Sequence, residues 1–464
     1  MYYTIYELQG IHYLCPVIRN FFIMKHTTGI LFAILFTFTA CLSHHETASF
    51  ITVRDGQFYL REEPYKYIGT NFWYGPILGS EGQGGNRERL CQELDLLCEL
   101  GIKNLRVLVG GEGMSTRPDH IRPILQPQPG EYNDTLLQGL DYLMAEMGKR
   151  DMHAVLYLHN AWQWSGGYGT YLEWAGEGEA APASVWNEYT AYHSRFVRND
   201  SARAKALRHT RFIVGRTNSI TGQAYRDDPT LMAWEICNEP RPFARDSVTK
   251  AEFLNWIREQ AMAIKTLDSN HLVTTGSEGL YGCEVDMELF RRVHALPEID
   301  YLCIHIWPYT WGWTGPFVSP NSEARQRLPL SAVEDGVEAA CRETQSYING
   351  HVAVARQLNK PLVLEEFGYP RDGFEIAQNT PTTARDRYFR FVLSQVGDTT
   401  GLAGCNFWAW GGRARVCHDW WQPWDDYTGD PAQEEQGLYS VFASDTTTLD
   451  IIREAMKLQI QVEE

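Results

Sequence analysis

Polar side chains recur at one kind of place in this chain, the far end of short apolar runs. Arg106 ends Asn104-Leu105-Arg106, and His159-Asn160 follow Leu158. Asn238-Glu239 follow Ile236-Cys237, Glu365-Glu366 end a run begun at Leu362, and His305 and Trp408 sit late in two others. A carboxylate buried without a partner is costly, so each Glu calls for a partner or a function. Two glutamates facing each other across a cleft can divide a reaction. One donates and then withdraws a proton while the other attacks as a nucleophile. That pairing cleaves glycosidic bonds with retention when the carboxyl groups are about 5 Å apart. Metal ligation is the rival use of these residues. No HExxH or other compact ligand spacing is present and none of the ten Cys forms a CxxC pair, so no metal site and no cofactor is expected.

Eight apolar runs must position these groups: Tyr67–Phe72, Asn104–Val109, His153–Leu158, Leu231–Ile236, Leu272–Thr275, Tyr301–Ile306, Leu362–Glu366 and Gly404–Trp410. Helical patterns alternate with them. Leu90, Leu94, Leu97 and Cys98 keep i, i+4, i+7, i+8 spacing, and further stretches cover Thr135–Lys149, Ser184–Thr217, Val248–Leu267, Ala332–Leu358, Thr382–Gln395 and Thr448–Leu458. The fifth unit offers only Asp286–His294. Strand–helix alternation repeated eight times predicts an α/β fold, a (β/α)8 TIM barrel. Asp55-Gly56 between Phe50–Val53 and Gln57–Leu60 predicts a β-hairpin before it. Segments 160–183, 307–331 and 411–445 are longer than a connection needs and fall on the face where barrels carry their sites.

Composition narrows the partners. Lys plus Arg is 41 against 58 Asp plus Glu, a net charge of −17, which argues against nucleic acid. With 44% hydrophobic residues the chain can bury a large core. Its 15 Trp, 24 Tyr and 20 Phe suit either that core or a surface on which a neutral hydroxylated substrate stacks. Residues 1–40 read as a leader: Met24-Lys25-His26, the apolar run Ile30–Phe38 and Thr39-Ala40 before Cys41 form an export signal, with Met24 the natural start. The run is too short to span a membrane. Cys41 after Ala40 resembles a bacterial lipoprotein signal, with Phe38 where Leu is usual; release after ordinary cleavage is the alternative. The expectation is an exported monomer, lipid-anchored through Cys41 at the cell envelope, with a tether over 41–49 and one catalytic domain over 50–464. Cys237, Cys303 and Cys405 read as buried thiols, and one disulfide among the others is open.

The chain resembles glycoside hydrolase family 5, and within it the endo-β-1,4-mannanases. Asn104-Leu105-Arg106, Leu158-His159-Asn160, Asn238-Glu239-Pro240, Glu366-Phe367-Gly368 and Phe407-Trp408 carry the general likeness. Thr70-Asn71-Phe72-Trp73, Trp162-Gln163-Trp164-Ser165-Gly166-Gly167 and Tyr225–Thr230 leading into Met232-Ala233-Trp234-Glu235 carry the mannanase likeness. Gly429-Asp430-Pro431 and Glu434-Glu435-Gln436-Gly437 look like a bacterial mannanase loop.

The resemblance implies Glu239 as acid/base, with its pKa raised, and Glu366 as nucleophile, the Glu directly before aromatic-Gly. Adjacent strand residues face opposite ways, so Glu365 is expected to turn to the helical layer. Arg106 would keep Glu366 ionised or form a structural ion pair. Asn238 would bond the sugar 2-hydroxyl. His159 and His305 would line the −1 subsite, with Trp408 as its platform. Trp307 stands where a Tyr is usual, and its N–H can donate but not accept. Trp73 and Trp162 join Trp164, Trp311, Trp313, Trp420, Trp421 and Trp424 in or beside the catalytic-face loops, where part of the set would contact sugar. Arg413 and Arg415 would reach a plus subsite or form rim ion pairs. The implied activity is retaining hydrolysis of internal β-1,4-mannosidic bonds in mannan, galactomannan or glucomannan. An exo-acting mannobiohydrolase or β-mannosidase and a β-1,4-glucanase share the catalytic set. A non-catalytic glycan-binding protein would not need both Glu239 and Glu366.

Overall fold

The structure, a computed structural model, describes residues 49–114, 117–315 and 332–463. The leader, Cys41 and most of the tether lie outside them. Among the described residues eight parallel strands form the central sheet. They are β1 (Tyr67–Asn71), β2 (Asn104–Leu108), β3 (His153–Tyr157), β4 (Leu231–Glu235), β5 (Leu272–Thr274), β6 (Leu302–Ile306), β7 (Leu362–Phe367) and β8 (Gly404–Phe407). Their order is β5-β4-β3-β2-β1-β8-β7-β6, the cyclic order of a barrel. The seam between β5 and β6 is bridged largely by side chains. Val273 N–H donates to Asp300 Oδ2 (2.7 Å), Asp300 N–H donates to Val273 O (2.8 Å), and Thr274 Oγ1 donates to Tyr301 O (3.0 Å).

The predicted strands and helices recur with ends shifted by a few residues. One exception is Ser184–Thr217, which divides into Trp186–His193, a short 3-10 turn Phe196–Arg198 and Asp200–Val214. Asn199 explains the break: its side chain accepts from Ala202 N–H and starts a new helix. The same capping chemistry starts other helices at Asn86, Asn133, Asp246 and Asp286. The weak fifth unit does hold a helix, Met287–His294.

The predicted hairpin pairs Thr52–Arg54 with Gln57–Leu60, and Glu63–Pro64 adds a third strand. Asp55 (φ 49°) and Gly56 (φ 75°) make the left-handed turn that such a short connection requires. Ile51 and Phe58 of this unit pack with Tyr67, Leu272, Tyr301 and Val363, closing the N-terminal end of the barrel. The eight described cysteines are all unpaired, and Cys237, Cys303 and Cys405 are buried as expected.

Inside the barrel the chain approaches itself closely. A Cβ at Gly69 would lie 2.2 Å from Asn406 Oδ1 and 2.5 Å from Asn104 O. Strand β7 carries an irregularity that matters for the site. Leu364 pairs with Ile304 and Glu366 with His305, so Glu365 is an extra residue, a β-bulge.

Candidate active site

The bulge decides how two adjacent glutamates are used. Glu365 does not turn to the helical layer. It accepts a hydrogen bond from Tyr301 Oη (3.2 Å) and sits 3.9 Å from His305 Nε2. Glu366 also enters the barrel mouth, where it lies against His305 Nδ1 (3.3 Å) and Arg106 Nη1 (2.5 Å). Simple alternation fails here because the extra residue inverts the facing of the residues after it.

Arg106, fully buried on β2, organises the floor. Its Nε and Nη2 donate to both oxygens of Glu235 (2.7 and 2.6 Å), Nη1 donates to Asn71 Oδ1 (2.9 Å), and Nη2 also donates to Asn238 Oδ1 (2.8 Å). Its guanidinium stands 4.4 Å over the Tyr157 ring. Burial alone would raise the pKa of Glu366, but the His305 and Arg106 cations outweigh it and hold the carboxyl below its ordinary value. Burial pushes Glu235 up to about 8 against the pull of Arg106. Burial would keep His305 neutral, yet Glu366, Glu239 and Glu365 around it raise it well above its usual range. His305 is therefore a cation among three carboxylates.

Glu239 sits beyond β4, with its N–H donating to Gly276 O (2.9 Å) and φ at +50°. Gly276 is required there. Its φ is +79°, and a Cβ would lie 2.3 Å from Glu235 Oε1. Glu239 Oε1 is 2.9 Å from His305 Nδ1, and Oε2 accepts from Trp162 Nε1. Oxygens of Glu239 and Glu366 and a nitrogen of His305 all lie within 4.8 Å of one another. Asn238 Nδ2 donates to Asn160 Oδ1 (3.1 Å), linking the ends of β3 and β4. Arg241 stands 5.4 Å over Trp162 and pairs with both oxygens of Glu278 (2.5 and 2.7 Å).

The loop after β8 covers the other side. Trp408 Nε1 donates to Glu434 Oε2 (3.2 Å), and Trp408 meets Trp307 edge-on at 6.0 Å. Trp307 also packs edge-on against Tyr439 (5.2 Å), and a Cβ at Gly368 would strike its ring at 2.8 Å. Burial raises the Glu434 pKa well above the ordinary range, and the neighbouring Asp430, Glu366 and Glu239 carboxylates push the same way.

Two expected substrate contacts are not brought to the carboxylates. His159 is buried beside Thr210 (Nε2 to Oγ1, 2.8 Å) and Tyr171 (Nδ1 to Oη, 3.4 Å), and burial lowers its pKa well below 6.5. It faces the helical layer and supports Asp200–Val214. Trp73 is buried too: its N–H donates to Gly429 O (2.9 Å), so it anchors the β8 loop. Trp311 and Trp313 pack on Tyr281 and Tyr347, and Arg415 forms a rim pair with Asp426 (3.5 Å).

Among the described residues, two groups have ligand atoms close enough to hold a metal ion: Glu239, His305 and Glu366, and Glu112, His159 and His209. In the first, the cationic Arg106 and His305 already balance the carboxylates. In the second, Glu112 accepts from Gly167 N–H and Tyr171 Oη, while His209 bonds Val109 O and Tyr132 Oη.

A family model described as "GH family 5 beta-mannosidase-like" matches residues 48–463. The chain belongs to glycoside hydrolase family 5. It is similar to Mannan endo-1,4-beta-mannosidase 3 of Solanum lycopersicum, 30% identical over 72% of this chain and 77% of that one. Mannan endo-1,4-beta-mannosidase 1 of Arabidopsis thaliana is 27% identical over 75% and 77%. Among solved structures, a family 5 mannosidase mutant from Rhizomucor miehei in complex with mannosyl-fructose superposes with TM-score 0.78 and 33% identity, covering 90% of this chain and 99% of that one. An endo-1,4-beta-D-mannanase from Thermotoga petrophila shares the fold at TM-score 0.61 and 22% identity, covering 85% and 100%.

As a family 5 glycoside hydrolase the chain is an enzyme. Sequence reading assigned no role to Glu235, Arg241 or Glu434. Each had a signal: Glu235 ends the β4 run, Arg241 follows Asn238-Glu239-Pro240, and Glu434 lies in the recognised β8 loop. Each acts through partners distant in the chain, which local pattern does not reveal.

Proposed function

We propose that the enzyme hydrolyses internal β-1,4-mannosidic bonds of mannan, galactomannan or glucomannan with retention of configuration. The observation that carries this reading is the Glu239/Glu366 pair. One oxygen of each lies within 4.8 Å of the other, which supports the close spacing, roughly 5 Å between carboxyl groups, of a nucleophilic mechanism. Glu366, kept ionised by His305 and Arg106, attacks the anomeric carbon. Glu239 protonates the departing oxygen, then takes a proton from the water that releases the sugar. Asn238, on Arg106, is placed to receive the 2-hydroxyl. Trp408 and Trp307 wall the −1 sugar, with Glu434 behind Trp408. Relatives named mannan endo-1,4-beta-mannosidase support the substrate and the endo mode.

Exo action is the second reading. It is favoured by the Rhizomucor mannosidase likeness, closer than that to the Thermotoga endo-mannanase. Product analysis on mannohexaose, carob galactomannan and carboxymethylcellulose separates these readings. Mixed short manno-oligosaccharides are expected. Mannose or mannobiose alone would establish exo action, and cleavage of carboxymethylcellulose in place of mannan would overturn the substrate.

The bacterial attribution rests on the 429–437 loop and the segment Met24–Cys41. That segment supports export and lipidation at Cys41. Labelled palmitate incorporation that disappears in Cys41→Ala is the expected result; incorporation unaffected by the substitution would exclude the anchor.

A further inference from the structure

Trp162 is fixed beside the proposed acid/base by its N–H to Glu239. An acid that protonates a leaving glycosidic oxygen has the leaving sugar next to it, so the Trp162 ring borders the aglycone side. The ring is not isolated. Trp186 lies near-parallel to it (centroids 6.1 Å apart, planes at 27°), and Tyr189 is near-parallel to both (6.0 Å at 15° and 5.8 Å at 12°). The three differ in exposure: Tyr189 is fully buried, Trp162 is half-buried and Trp186 is 49% exposed. Phe243 holds the set edge-on, 5.5 Å from Trp162 and 5.9 Å from Tyr189. It does so from φ +52°, a conformation disfavoured for Phe. Below, Tyr189 stacks on buried His193 at 3.7 Å.

We infer that Trp186 is a stacking surface for the second sugar on the leaving side, a β-1,4-linked pyranosyl unit. The inference rests on the hydrolase reading of Glu239. Scattered exposed apolar residues need no explanation. This one extends, ring to near-parallel ring, from the Trp162 that touches the acid/base, over about the step between successive linked pyranoses. Trp186 is the first residue of the helix Trp186–His193, and its neighbours Tyr189 and His193 lie on the same face of that helix, so the ring stands on a rigid element. Pyranose C–H groups meet aromatic faces without needing charge, which suits a neutral chain.

The test is kcat/KM of wild type, Trp186→Ala and Trp186→Tyr on an aryl β-mannoside and on mannobiose through mannohexaose, with cello-oligosaccharides of equal length in parallel. The Ala deficit should grow with length, reaching about tenfold once two sugars lie beyond the scissile bond, in KM more than kcat. Trp186→Tyr should recover most of it. A deficit equal at every length, or none, overturns the platform while leaving the hydrolase reading intact. If wild type cleaves the cello series instead, the mannan reading fails, and a length-dependent deficit on that series still supports the platform.

Discussion

At the end of β7, Glu366 faces His305 and Glu239; between the barrel and its helices, Glu112 faces His159 and His209. Both groups are buried, both combine Glu and His, and each has ligand atoms within 4.8 Å of one another. Their charge states are opposite. His305 is pulled up by three carboxylates and is a cation. Burial drives His159 well below its usual range and His209 to about 4, so both are neutral, and it pushes Glu112 up to about 7. Residue type does not set this difference; the ratio of carboxylates to imidazoles does. Three carboxylates around one imidazole repay the cost of burying its charge, whereas one carboxylate against two imidazoles does not. The first arrangement keeps a nucleophile ionised. The second holds Gly167 N–H through Glu112, and with it the loop that carries Trp162.

Breaking the charged cluster should cost most. Glu366→Ala should lose on the order of 10⁴-fold in kcat, and added azide should restore rate with inverted product. A loss of only a few fold would end the proposed mechanism. His305→Asn should lower kcat/KM by about 100-fold and move the acid limb of its pH profile upwards, because one of the two cations depressing Glu366 is gone. His159→Asn is the contrast. Its acid limb should stay in place, while denaturant unfolding should show about 1–3 kcal/mol lost from the Thr210 contact. An acid limb that shifted equally in both variants would erase the distinction between the clusters.

Smaller changes sharpen it. Glu365→Gln removes one charge supporting the His305 cation without touching the reacting carboxylates. A drop of about tenfold is expected, together with an alkaline limb that begins at lower pH. A uniform rate loss with an unmoved alkaline limb would reduce Glu365 to packing. Glu112 lies outside the charged cluster and gives the clearest sign. Its folded pKa of about 7 lies above the ordinary 4.5, so the folded state binds more protons across that window. Stability from this group is therefore full below pH 4.5 and declines as pH rises to about 7. Glu112→Gln should come close to wild type at pH 4.5 and exceed it by about 3 kcal/mol at pH 8. Thermal melts at the two pH values measure this, and equal differences at both would show that Glu112 does not titrate as described.

Much of this architecture is legible in the chain itself. Eight apolar runs alternating with helical periodicity dictate a barrel, because parallel strands need crossover helices and bury both faces. The short fifth helix and the Asp55-Gly56 turn are also local and were readable. Glu239 and the Glu365-Glu366 pair stood out as candidates, since carboxylates at buried strand ends are rare without a use, whereas the choice of Glu366 over Glu365 came from the family resemblance. Tertiary structure alone decided their surroundings. The bulge at Glu365 depends on the register of β7 against β6, and it set both glutamates facing inward where alternation predicted one. His159 turned to the helices because Thr210 and Tyr171, distant in sequence, offered the partners its nitrogens need. Trp73 became an anchor because Gly429 O accepts its N–H. Charge state is the extreme case: it depends on how many opposite charges share a buried volume, and that number exists only once the chain has folded.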